Sequence, residues 1–197
     1  MIEQFIKPIL EVISISMLVW ILLWVMVSIS KKKRGIKISF QAEITFFLFY
    51  IYIIAVMSLT VIPLPFERFK VQGEEGINII PMVNIVRGLL EMFSPPTTFS
   101  EHSFQNIVGN IILFIPLGIF LPFFSDKYRS VNNVIILAAI CSASIELMQL
   151  ILRQFEIYRT VDIDDVILNT LGAIIGFAVI TKLYFTKMDD IEKRGSI

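Results

Sequence analysis

Residues 103–125, SFQNIVGNIILFIPLGIFLPFFS, decide the fold class: they hold no Asp, Glu, Lys or Arg and are long enough to cross a bilayer. A spanning helix needs about 20 largely apolar residues. Working outward, charge-free runs also extend from Val12 to Ser30 and from Ile44 to Phe66. Two more are interrupted near one end. Ser130 to Ile145 meets Glu146 but continues through Leu147, Met148, Leu150, Ile151 and Leu152, and Val166 to Thr181 is preceded by Asp164 and Asp165. The expected fold is an all-α integral membrane bundle, a single domain over residues 1–197, with five spans near 8–30, 44–64, 104–124, 131–152 and 163–185.

Composition agrees. Of 197 residues, 56% are hydrophobic and 17% charged, with mean hydropathy +0.79, against roughly 45–50% and about 25% in soluble domains. Lys plus Arg and Asp plus Glu each count 17, so no net charge points to nucleic acid. Cys141 and His102 stand alone, which excludes an intrachain disulfide and a Cys/His zinc site. The first apolar run is too long for a secretory signal, lacks a small-x-small cleavage site and is closed by Lys31-Lys32-Lys33-Arg34. It is expected to stay in the mature protein.

Basic residues near span ends are held in the cytoplasm. Lys31 to Lys37, Lys127 and Arg129, and Lys182, Lys187, Lys193 and Arg194 fall on one side; Lys7, Arg68, Lys70, Arg87, Arg153 and Arg159 are fewer and fall on the other. The amino terminus is expected outside a bacterial cytoplasmic membrane and the carboxy terminus inside. In the long connection between spans two and three, Asn84, Arg87, Gly88 and Glu91 recur at i, i+3, i+4 and i+7 between Met82 and Phe93. This describes an amphipathic helix, lying in the outer interface or capping the bundle, ended by Pro95-Pro96.

The intramembrane polar residues are not scattered. Asn106 and Asn110 lie at i and i+4 on the third span; Glu146, Gln149 and Arg153 form one stripe on the fourth; Asp162, Asp165, Asn169, Gly172 and Gly176 form one on the fifth. With alternating helix directions, all three stripes reach the same depth near the outer end, and packing them together makes a polar pocket open to the extracytoplasmic leaflet. The alternative is structural: amides as interhelical hydrogen-bond glue and Gly172-x-x-x-Gly176 as a close-approach surface. A buried carboxylate needs a partner, for Glu146 either Arg153 or Arg159.

Asp162 and Asp164 read as amino-terminal caps of the fifth span, whereas Asp165 shares a stripe with Asn169. Three carboxylates could hold a hard cation such as Ca²⁺ or Mg²⁺, but their spacing fits no EF-hand loop; the cap is the default reading, and no metal ligand or cofactor is assigned. Pro116 with Gly118 predicts a kink. His102 reads as a solvated loop residue, Cys141 as a small buried one, and Ser142 and Ser144 lack a histidine within the membrane for nucleophilic chemistry.

Asn78-Ile79-Ile80-Pro81, the run from Asn106 to Gly118, Glu146-Leu147-Met148-Gln149, and Arg159 through Asp162, Asp165 and Asn169 to Gly172 together resemble the VanZ-like family over about residues 45–185. Met82 stands where family members commonly have Phe. The resemblance implies resistance to teicoplanin-type lipoglycopeptides in Gram-positive bacteria without rebuilding the peptidoglycan precursor, and implies no settled reaction; many members have no link to antibiotics. Its motif positions are Asn78, Asn106, Asn110, Glu146, Gln149, Arg159, Asp162, Asp165 and Asn169.

Two functions follow as expectations. One is a non-enzymatic protein that alters antibiotic access or binding at the outer leaflet, with membrane lipid and a lipoglycopeptide as partners. The other is an intramembrane enzyme acting on a lipid-linked cell-envelope precursor, with Glu146 as general acid or base, Arg153 or Arg159 holding an anionic group, and Asn106, Asn110 and Asn169 orienting the substrate. A transporter is disfavoured because the polar stripes stop at one leaflet.

Overall fold

The computed structural model describes residues 2–35, 39–61, 76–92, 98–155 and 160–185. Their order is α1 (Ile2–Lys33), α2 (Phe40–Thr60), β1 (Ile77–Asn78), α3 (Val83–Met92), α4 (Thr98–Phe124), α5 (Val131–Leu152), β2 (Val161–Asp162) and α6 (Ile163–Ile180). Helices α1, α2, α4, α5 and α6 are each long and apolar enough to cross a membrane, making this an all-α, multi-pass membrane protein. Its chain divides into two compact units, residues 1–70 and 71–197.

The first unit is an antiparallel pair. Helix α1 ends in Lys31, Lys32 and Lys33, then Gly35 adopts φ +67°, the left-handed conformation that closes a helix and that glycine tolerates. Lys31 forms an ion pair of 2.7 Å with Glu43, which also accepts the Trp24 indole N–H at 2.9 Å. Farther along, Trp20 packs in tilted ring contacts against Phe47 and Tyr50, and the Tyr50 hydroxyl donates to the Ser16 carbonyl. The sole carboxylate of α2 is thus neutralised where α1 ends.

The second unit is built on α4 and α6, which run parallel, with α5 antiparallel beside α6. Lipid tails are as apolar as leucine, so close packing must supply much of the cohesion that water supplies elsewhere. Glycine makes it possible: a Cβ at Gly172 would overlap the Ile111 carbonyl, one at Gly176 the Ile115 carbonyl, and one at Gly118 the backbone of Ala173 and Phe177. Phe114, Leu117, Leu121, Val134, Ala138 and Ala173 fill the interior. Ile112, Ile136, Ile140, Leu147 and Ile175 point outward, as lipid-facing residues should.

Helix α4 runs continuously from Thr98 to Phe124 with Pro116 and Pro122 inside it. It begins earlier than the sequence pattern indicates, so the backbone of His102 is helical rather than in a loop; its side chain lies outside the described residues. The long connection contributes the other structural surprise. Its β1 pairs in parallel with β2, Ile77 beside Val161 and Asn78 beside Asp162, and this short ladder sets the starts of α3 and α6 side by side.

Candidate functional site

The consecutive segment Asp162-Ile163-Asp164-Asp165 supplies three carboxylates that do three different things. Asp162, 2% exposed, is the N-cap of α6 and accepts the Asp164 amide at 2.9 Å. The same carboxylate accepts the side-chain amides of Asn78 and Asn84, both at 2.7 Å. Asn78 in turn receives the Ile80 N–H at 3.1 Å, so one asparagine links β1, the turn before α3 and the cap of α6.

Asp164, 1% exposed, does not cap its own helix, as its position suggests. Its carboxylate crosses to the start of α3 and accepts the backbone N–H groups of Met82, of Asn84 at 2.8 Å and of Ile85 at 3.0 Å. The physical reason is that Asp162 already satisfies the first orphan amide of α6, while α3 has orphan amides and no capping side chain of its own. Met82 has φ +71°, a left-handed conformation rare outside glycine, which turns its N–H into the same nest as those of the helix. A carboxylate held by several amides and a helix amino terminus can remain buried without a cation.

Asp165 faces a different way. One of its oxygens accepts the side-chain amides of Asn110 at 2.6 Å and Asn106 at 3.3 Å, and Asn110 also reaches the Asn106 carbonyl oxygen at 3.3 Å. Glu146 Oε2 accepts the backbone N–H of Asp162 at 2.8 Å, and Asn169 donates to the Ser142 hydroxyl at 2.8 Å. Gln149 is buried on α5. Arg153 begins the short 3-10 turn after α5; Arg159 lies outside the described residues.

Beside these anchors lies a partly open cavity of about 290 Å³ between α3, the start of α4 and the start of α6. Its walls include Asn84, Arg87 and Glu91 from α3, Ser103 and Asn106 from α4, and Asp162, Asp164 and Asp165. Of the residues expected to form the pocket, Asn106, Asp162 and Asp165 line it. Asn78 and Asn110 stand behind, each bonded to a wall aspartate, and Glu146 positions Asp162 through its main chain. Asn169, Gln149 and Arg153 are not in the wall. Among the described residues, no group of three or more acidic, histidine or cysteine side chains is arranged to hold a metal.

Sequence reasoning missed the contribution of α3. The spacing of Asn84, Arg87 and Glu91 gives their shared face correctly, but not that this face borders a cavity, with Asn84 and Glu91 half-buried and Arg87 exposed. Ser103 was missed too; its hydroxyl donates to Glu91 at 2.6 Å and ties α4 to α3. The usable signal was Gly88, a gap in the helix surface that seats against Ser103 and Ile107.

The VanZ/LLP1 family matches residues 49–185, which is most of the chain and includes every element of this site. The chain belongs to the VanZ/LLP1 family. No curated protein and no solved structure matches it. Within the VanZ/LLP1 region, Asn78 and Asp162 tie β1 to the cap of α6, with Glu146 attached through the Asp162 amide, while Asn106 and Asn110 hold Asp165 in a separate cluster between α4 and α6.

Proposed function

We propose that this VanZ/LLP1 protein binds the polar head of an amphiphile at the outer face of the bacterial cytoplasmic membrane, and that in a Gram-positive host it thereby lowers the access or binding of a teicoplanin-type lipoglycopeptide. The observation that carries this reading is the two-faced α3. Its Asn84, Arg87 and Glu91 line the cavity while Val83, Val86, Leu89 and Leu90 are exposed on the other side, Leu90 by 65%. An exposed apolar stripe on a short helix of a membrane protein seeks the lipid interface, so the chamber opens beside lipid headgroups. The distribution of Lys and Arg along the chain favours the extracytoplasmic leaflet.

Size supports a headgroup as the occupant. The cavity is at the lower edge of the roughly 300–1,000 Å³ that drug-sized ligands occupy, too small to enclose a whole glycopeptide. A binding role is favoured over proton transfer by Glu146, because that carboxylate is engaged with the Asp162 amide and is absent from the cavity wall.

The test is susceptibility of a sensitive Gram-positive host expressing the wild-type chain, Asp165→Asn or Glu146→Gln at matched membrane levels. The wild type should protect against teicoplanin and not against vancomycin, Asp165→Asn should lose protection, and Glu146→Gln, whose amide oxygen still accepts the Asp162 N–H, should keep it. Absence of protection by the wild type removes the resistance role. Loss with Glu146→Gln in a normally folded protein favours the acid–base enzyme acting on a lipid-linked envelope precursor.

A further inference from the structure

Charged residues of both signs line the chamber without pairing to one another among the described residues. Arg87 is exposed and makes no hydrogen bond or ion pair among the described residues, although it lines the same cavity as Asp165 and Glu91. Both carboxylates line the cavity, and among the described residues Asp165 accepts at one oxygen from Asn106 and Asn110 and Glu91 at one oxygen from Ser103, with no bond to the second oxygen of either. By contrast, the deeply buried Asp162 and Asp164 are satisfied by protein donors. Groups of both signs therefore line one space, with no ion pair between them among the described residues. The space, about 290 Å³, is of a size suited to one headgroup.

An occupant that satisfies both sides must itself carry both signs. A planar guanidinium binds phosphate through paired N–H donors. A carboxylate oxygen with an open lone pair asks for a cation that can donate, which a primary ammonium does and a quaternary one cannot. We propose that the chamber recognises a phosphoethanolamine group, with the phosphate on Arg87 and the primary ammonium on the second oxygens of Asp165 and Glu91. This rests on the headgroup-binding reading above and specifies its ligand. Two sources could present the group, a phosphatidylethanolamine in the leaflet or a soluble phosphoethanolamine ester. The apolar outer side of α3 favours the lipid.

The experiment is binding of single-chain lipids to the full-length protein in a neutral detergent, read by native mass spectrometry. Lysophosphatidylethanolamine should bind about tenfold tighter than lysophosphatidylcholine or lysophosphatidylglycerol, the fold-change expected of one charge-assisted hydrogen bond. Asp165→Asn should abolish that preference, and Arg87→Gln should weaken all three by about tenfold. Glycerophosphoethanolamine, the soluble probe, should compete only weakly; competition as strong as the lipid's identifies the soluble source. Equal binding of all three lipids, still dependent on Arg87, overturns the ammonium assignment while leaving a headgroup-binding chamber. Binding of none overturns both. If a variant fails to fold, the wild-type ranking alone decides: any order in which lysophosphatidylethanolamine is not preferred overturns the proposal.

Discussion

Asp164 shows how far a residue's role can lie from its position. Read along the chain, it sits in the first turn of α6 and looks like that helix's cap; in space it caps α3, some eighty positions away in sequence. Removing it should matter more than removing an ordinary cap. Asp164→Ala would strand three backbone N–H groups, and leaving a buried donor unsatisfied costs about 1–3 kcal/mol. We expect Asp164→Ala to lose about 3 kcal/mol and Asp164→Asn, which retains one acceptor oxygen, to lose less, measured as the unfolding of detergent-solubilised protein. Wild-type melting of Asp164→Ala would refute the cap. Its neighbours differ only in direction: Asp162 caps α6 and Asp165 faces the cavity. Sequence gives three carboxylates in a row and not which way each is aimed, because the aim depends on α3, which packs beside α6 only after folding.

At the scale of elements, the parallel contact of α4 with α6 is where sequence and structure agree best. Gly172-x-x-x-Gly176 announces a close helix approach, and each glycine abuts a carbonyl of α4. The obstacle is backbone, which cannot rotate away, so Gly172→Ala and Gly176→Ala should each cost about 1–3 kcal/mol by overpacking. Gly109, also in α4, has nothing within 4 Å of an added Cβ; Gly109→Ala should be neutral or stabilise by about 0.5–1 kcal/mol through helix propensity. Thermal unfolding of the three variants checks the contrast, and equal loss at all three would mean that general helix perturbation is being measured. Helix α3 was legible as an amphipathic helix from its 3.6-residue period. Its orientation was not: an isolated period reports that two faces differ, whereas the direction each takes is set by Gly88 and Ile85 docking on α4 and by the Asp164 cap.

For the whole molecule, the prediction concerns topology. Single-cysteine variants in a Cys141→Ser background should be modified by a membrane-impermeant maleimide in intact cells at Ile79→Cys, a highly exposed position before α3, and protected until lysis at Arg34→Cys, after α1. The reverse pattern would put the chamber on the cytoplasmic side and end the antibiotic reading. Membrane residence and the existence of five apolar helices were determined by the sequence alone, since hydropathy over about 20 residues depends on composition and not on neighbours. So was the gathering of Asn106, Asn110, Asp165 and Asn169 toward one end of their helices, because helical periodicity fixes face and depth. Tertiary structure alone decided which polar groups meet. Glu146, conspicuous as an isolated carboxylate, became a support for Asp162, while Arg87 and Glu91, ordinary in an amphipathic pattern, became cavity wall. The reason is that a hydrogen bond depends on the relative placement of two elements to within an ångström, and here that placement is set by a two-residue ladder, glycine contacts and one carboxylate spanning two helix starts.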